Sequence, residues 1–190
     1  MTRARGFGVV ELLVGTMLAL VVLGALVGAV GTGARVLAAA GARGEAEDAL
    51  EIALEAFAFD VRRAGYDPAA AGVAPLVDGA PDRVTFAADL DGDGTLDGTS
   101  EEATGWACGG TPLRLSRIVG HQSLPLVEGL TRCGFTYVDA DGRALAAPAG
   151  GLVPTDRTRV RAVGIALTAL PTGLRGPSAR SGAVAFRTPP

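Results

Sequence analysis

The chain has 190 residues and a formal net charge of -3, and every basic side chain in it is an arginine. That length holds one ordinary domain plus a membrane segment, and that charge offers no electrostatic footprint for nucleic acid. With one histidine (His121), one tryptophan (Trp106) and carboxylates scattered apart from one cluster, few of the groups that build a catalytic site are present, so no enzyme is expected.

The first element is an apolar run behind a short basic leader. From Leu12 to Ala34 no residue is charged, and a helix of that length crosses the ~30 Å of a bilayer's hydrocarbon. Arg3 and Arg5 precede the run and favour a cytoplasmic N-terminus with the rest sent across. Arg35 and Arg43 weaken that asymmetry, although Glu45, Glu47 and Asp48 follow closely. Glu11 stands near the head of the run. An ionised acid at the centre of a membrane helix costs roughly 2.5–3.5 kcal/mol, so an acid retained there points to a partner. Its place near one end softens the cost without removing it. A cleaved secretory signal has a shorter apolar region, of ~7–15 residues, and a small-residue cleavage site. A plain signal anchor would not need Glu11.

The segment Gly6-Phe7-Gly8-Val9-Val10-Glu11 resembles the class III signal of type IV prepilins and type II secretion pseudopilins. The resemblance implies cleavage by a prepilin peptidase between Gly6 and Phe7, methylation of the new N-terminal Phe7, and retention of the apolar run. It also implies that Glu11, fifth in the mature chain, pairs with the charged amine of Phe7 on a neighbouring subunit. Where many major pilins have a helix-kinking proline, this chain has Gly24, Gly28, Gly31 and Gly33. The four-residue spacing of Gly24 and Gly28 permits close helix approach, and plain helix loosening is an equal reading.

Beyond Gly44 the pattern becomes an amphipathic helix. Leu50, Leu54, Phe57 and Val61 form one apolar stripe, with Glu47, Glu51 and Glu55 on a solvated face. Arg62 and Arg63 suit the negative end of the helix dipole, and Gly65 and Pro68 supply the stop. Gly41 and Gly44 allow a break. The ending Asp60-Val61-Arg62-Arg63-Ala64-Gly65-Tyr66 is similar to PilW-type minor pilins and, more loosely, to J-type minor pseudopilins. The resemblance implies that Tyr66 packs against the head.

After Pro68 short alternating runs read as strands: Val84–Phe86, Leu113–Leu115, Phe135–Tyr137, Val163–Leu167 and Val184–Phe186. The Asp139–Gly142 stretch is a hairpin signal, and 146–158 and 171–182 read as loops. The expected class is therefore α+β, with the amphipathic helix laid on an antiparallel sheet. The resemblance implies the pilin lollipop: a leader at 1–6, a transmembrane and fibre-core helix at 7–34, its amphipathic half at 35–66, and an extracytoplasmic β-rich head at 67–190.

Two features of the head carry chemistry. Asp89, Asp91, Asp93 and Asp97 alternate through a Gly-rich loop, and calcium takes roughly six to eight oxygen ligands. Set against an EF-hand loop, Asp89, Asp91 and Asp93 take the first, third and fifth positions. Gly94 takes the glycine position, Thr95 gives a carbonyl and Asp97 stands ninth. Ser100 falls where the closing glutamate belongs, so Glu101 or Glu102 must replace it. A solvated turn without metal is the competing reading. Cys108 and Cys133 are the only cysteines; on the far side of the membrane they form a disulfide, the alternative being two buried thiols. Trp106 is expected to pack on that bridge, and His121 to lie in an exposed loop.

These readings lead to a minor pilin that primes or caps a type IV pilus or related fibre. Its partners would be prepilin peptidase, other major and minor pilins and the inner-membrane assembly platform, with no direct nucleic-acid contact and no required cofactor, calcium being the candidate ion at the acidic loop. It would sit first as a single-pass inner-membrane protein and then in a surface fibre. The competing readings are a J-type pseudopilin of type II secretion and a membrane-anchored, calcium-dependent adhesin or binding module.

Overall fold

The computed structural model describes residues 8–97, 101–169 and 178–186. A long helix α1 (Val9–Arg63) precedes strands β1 (Leu76–Gly79), β2 (Arg83–Ala87), β3 (Ala103–Gly109), β4 (Leu113–Val119), β5 (Gln122–Val138) and β6 (Ala144–Leu145). A single-turn helix α2 (Pro154–Arg157) and strands β7 (Ala162–Ala169) and β8 (Ser178–Ala185) complete the described elements. The strands lie in the order β1-β2-β3-β4-β5-β7-β8, with β6 beside β5, and each pairing is antiparallel. The fold is α+β, as the apolar run and the alternating segments predict. Two compact units divide the chain, Met1–Ala42 and Arg43–Pro190.

In the first unit, Val9–Ala38 has a mean hydropathy of 2.5 and is long and apolar enough to cross a membrane. Its hydroxyls are satisfied by the helix itself. Thr16 Oγ1 donates to the Leu13 carbonyl at 3.0 Å, and Thr32 Oγ1 to the Ala29 and Gly28 carbonyls at 2.9 and 3.1 Å. Internal satisfaction of this kind is what a medium without water demands. Gly41 and Gly44, where the sequence allows a break, both carry helical backbone.

In the second unit, α1 buries Leu50, Ala53, Phe57 and Val61 completely or nearly so. Phe57 is the hub. Its ring meets Trp106 and Phe86 edge-on at 5.4 and 5.8 Å between centroids, and stacks near Phe135 at 5.8 Å. Each such pair adds roughly 0.5–1.5 kcal/mol beyond the area it buries. The helix stops after Arg63, and Gly65, at φ +76°, turns its N–H to the Ala87 carbonyl at 2.7 Å. Tyr66 corrects an expectation: it is 53% exposed rather than packed on the head.

Strand β5 is what joins the sheet. Its first half pairs with β4, from Val119↔Gln122 to Leu113↔Leu130, and its second half pairs with β7, from Leu130↔Ala169 to Val138↔Ala162. Register shifts mark the hand-over, beside Gly129 at φ +71°. The β1–β2 turn lies over β5's second half: Phe135 N–H donates to the Pro81 carbonyl at 2.9 Å, and Cys108 N–H to that of Asp82 at 2.8 Å. The Tyr137 hydroxyl reaches the Ala80 and Arg83 carbonyls at 2.7 and 3.0 Å. Gly79 is required there, because a Cβ would stand 2.9 Å from the Tyr137 ring. The Cys108–Cys133 disulfide links β3 to β5 across the same turn, although β4 separates them in the sheet order.

The Asp139–Gly142 turn forms as expected, pairing Tyr137 with Leu145. Two loop readings change. The 146–158 segment contains α2, and within 171–182 the residues from Ser178 onward are strand β8; residues 171–177 lie outside the described set.

Candidate functional site

Three groupings are candidates for a functional role, the first at the head of α1. Gly6 and Phe7 lie outside the described residues. The Gly8 carbonyl accepts the N–H groups of Glu11 and Leu12 at 3.0 and 3.2 Å, so Glu11 falls in the first helical turn. There the partial positive charge of the helix dipole favours a carboxylate. The Glu11 side chain is exposed, and no side chain among the described residues pairs with it.

The second grouping is the acidic loop. Asp89 is fully buried; its Oδ1 accepts Gly92 N–H at 2.7 Å and its Oδ2 accepts Gly94 N–H at 3.0 Å. The two glycines stand at φ +79° and +78°, the conformation that lets the backbone curl over the acid. Asp91 Oδ1 accepts Asp93 N–H at 3.1 Å, and Asp93 Oδ1 accepts both the N–H and the hydroxyl of Thr95 at 2.7 Å. Glu102 spans the loop: Oε1 accepts Leu90 N–H at 3.0 Å and Oε2 accepts Asp97 N–H at 2.8 Å.

Glu102, and not Glu101, therefore closes the loop. Carboxylate oxygens of Asp89, Asp91 and Glu102 lie within 4.8 Å of one another. Glu101 turns away, its Oε2 3.7 Å from Arg63 NH1 and its side chain 66% exposed. Hydrogen bonds favour the charged form of two of these acids, Glu102 and Asp93. Those from Asp97 and Leu90 lower the pKa of Glu102, and those from Thr95 lower that of Asp93. Three carboxylates this close repel one another, and a bound cation relieves that repulsion. All donors are carboxylate oxygens, which suit a hard cation such as calcium, and each oxygen keeps a lone pair after accepting an N–H. The residues present fit calcium in that respect.

The loop is stitched to the exit of α1. Asp89 N–H donates to the Tyr66 carbonyl at 2.8 Å and Ala88 N–H to that of Glu102 at 2.9 Å. Next to it, Asp67 accepts N–H bonds from Ala71, Gly72 and Val73 at 2.7–3.0 Å, which lower its pKa.

The third grouping joins helix to sheet. Asp60, 2% exposed, accepts Arg117 Nε and NH2 at 2.7 and 2.9 Å in a bidentate pair, and Trp106 Nε1 at 2.9 Å. The bond to Asp60 raises the Arg117 pKa despite its partial burial. Register places Trp106 opposite Arg117 on adjacent strands, which is why one carboxylate satisfies both. Trp106 thus engages Phe57 and Asp60. Sequence reasoning missed this network, yet a signal was present: Asp60 lies three residues past Phe57, on the apolar stripe, where an acid needs a buried partner.

Cys108 and Cys133 form the disulfide, with a Cα–Cα distance of 5.6 Å. His121 lies exposed in the β4–β5 turn. No protein-family model and no curated protein matches this chain in sequence.

Proposed function

We propose that the chain is a minor subunit of a type IV pilus or a related fibre. Prepilin peptidase cuts it after Gly6, and the apolar helix holds it in the inner membrane with a cytoplasmic N-terminus and the head outside. The assembly platform then delivers it to other major and minor pilins. The observation that carries this reading is the coincidence of Gly6, Phe7 and Glu11 with the start of one long apolar helix. An exposed acid at the head of such a helix is costly in hydrocarbon, and the amine of a neighbour's Phe7 neutralises it. Desolvation of one charge is offset only while the other is present.

Replacing Glu11 with alanine tests the pairing. Cleavage after Gly6 is expected to continue, while incorporation into fibres falls to background. Normal incorporation of the variant would refute the ion pair as the assembly determinant. The acidic loop supports calcium as a structural ligand of the head in the same reading, through Asp89, Asp91 and Glu102. The cation would supply charge neutralisation there, with no chemical step.

A further inference from the structure

The edges of the sheet are treated unequally. β1 is bulged between Leu76 and Asp78, and its Gly79 carbonyl accepts Leu152 N–H at 2.7 Å. Among the described residues the first half of β5 has no strand on the side away from β4, and it carries Pro125, which has no N–H, together with the exposed Glu128 and Gly129. These are the standard devices that stop an edge from pairing with another chain.

β8 has neither a bulge nor a proline, and its only edge devices are one exposed charge, Arg180, and one glycine, Gly182. It pairs residue for residue with β7, from Ala162↔Ala185 to Ala169↔Ser178, without a register shift. It has no proline, and among the described residues no strand lies on its outer side. In an antiparallel pair alternate residues turn N–H and C=O away from the partner, so its outer side presents a regular row of donors and acceptors. Side chains do not obstruct that row: Ser181, Gly182, Ala183 and Ala185 are small, and Val184 is half-buried. Arg180 is the one charged residue of the strand, exposed and held by no ion pair among the described residues.

We propose that the outer edge of β8 is a docking site for an extended segment of a different protein, added as a further strand and carrying a carboxylate that meets Arg180. Main-chain hydrogen bonds supply the attraction, and the small side chains leave room for larger ones on the incoming strand. The charge decides against a second copy of β8, which brings another arginine and no acid. The inference does not depend on the fibre reading.

The test uses the full chain in detergent micelles and two blocked eight-residue probes of alternating threonine and valine, one with a central glutamate and one with a central lysine. Amide hydrogen exchange locates the binding. The glutamate probe is expected to protect residues 178–185, binding roughly three- to tenfold more tightly than the lysine probe. R180E should reverse that preference, and A183P should abolish protection. Protection at 76–79 or 122–129 instead, equal binding of both probes, or no protection by either would overturn the proposal. So would concentration-dependent self-association that A183P removes.

Discussion

Removing the carboxylate of Asp60 should loosen the hold of α1 on the sheet. Asp60→Ala leaves the Arg117 guanidinium without its bidentate acceptor and the Trp106 indole N–H without a partner. Losing one member of a buried pair costs about 3–5 kcal/mol. Arg117 keeps 22% of its side-chain surface in solvent, which recovers part of that loss and places the expected cost near the lower end, about 3 kcal/mol. At roughly 2–4 °C per kcal/mol for a domain of this size, the melting midpoint should fall by about 6–12 °C. Trp106 is the only tryptophan, so its fluorescence reports the site without a competing signal. The decisive comparison is a double-mutant cycle. Asp60→Ala and Arg117→Met should each destabilise strongly, whereas the two together should cost clearly less than the sum of the single costs, because removing both partners leaves no unpaired charge. The loss that remains includes about 1–3 kcal/mol for the buried Trp106 N–H left without its acceptor. Additive costs, or a loss below about 0.5 kcal/mol for Asp60→Ala alone, would refute the argument.

Two further outcomes follow from the head. Replacing both Cys108 and Cys133 with serine opens a loop of sequence separation 25 and should lower stability by about 3.5 kcal/mol in the chain-entropy model, read as a fall in the melting midpoint. Millimolar calcium should raise that midpoint in the native chain but not in Glu102→Gln, and a midpoint that chelator leaves unchanged would remove calcium from the account.

What was legible in the sequence was local. The uncharged run, the stripe of Leu50, Phe57 and Val61, and the Asp139–Gly142 turn each follow from the spacing of neighbouring residues. The disulfide followed from there being only two cysteines, in a segment that the sequence reading sends across the membrane. What escaped depends on contacts distant in sequence. Asp60 and Arg117 are 57 positions apart, and nothing near either residue names the other. Glu101 and Glu102 are adjacent in the turn that leads into β3, and only the folded turn separates them, with Glu102 beside Asp89 and Glu101 beside Arg63. The first part of strand β8, ahead of the expected Val184–Phe186 run, was hidden because Ser, Gly and Ala lack the β-branched signal, and pairing with β7 overrides that weak propensity. The mid-sheet stretch Pro125–Leu130 was obscured for the opposite reason, since proline and glycine there read as punctuation while they serve to blunt an edge.

The fibre reading rests on processing at the N-terminus, and the mass of the mature chain reads that directly. From cells with an active prepilin peptidase, the account predicts a chain that begins at Phe7 with a methylated amine. A chain that retains Met1 under those conditions would contradict it.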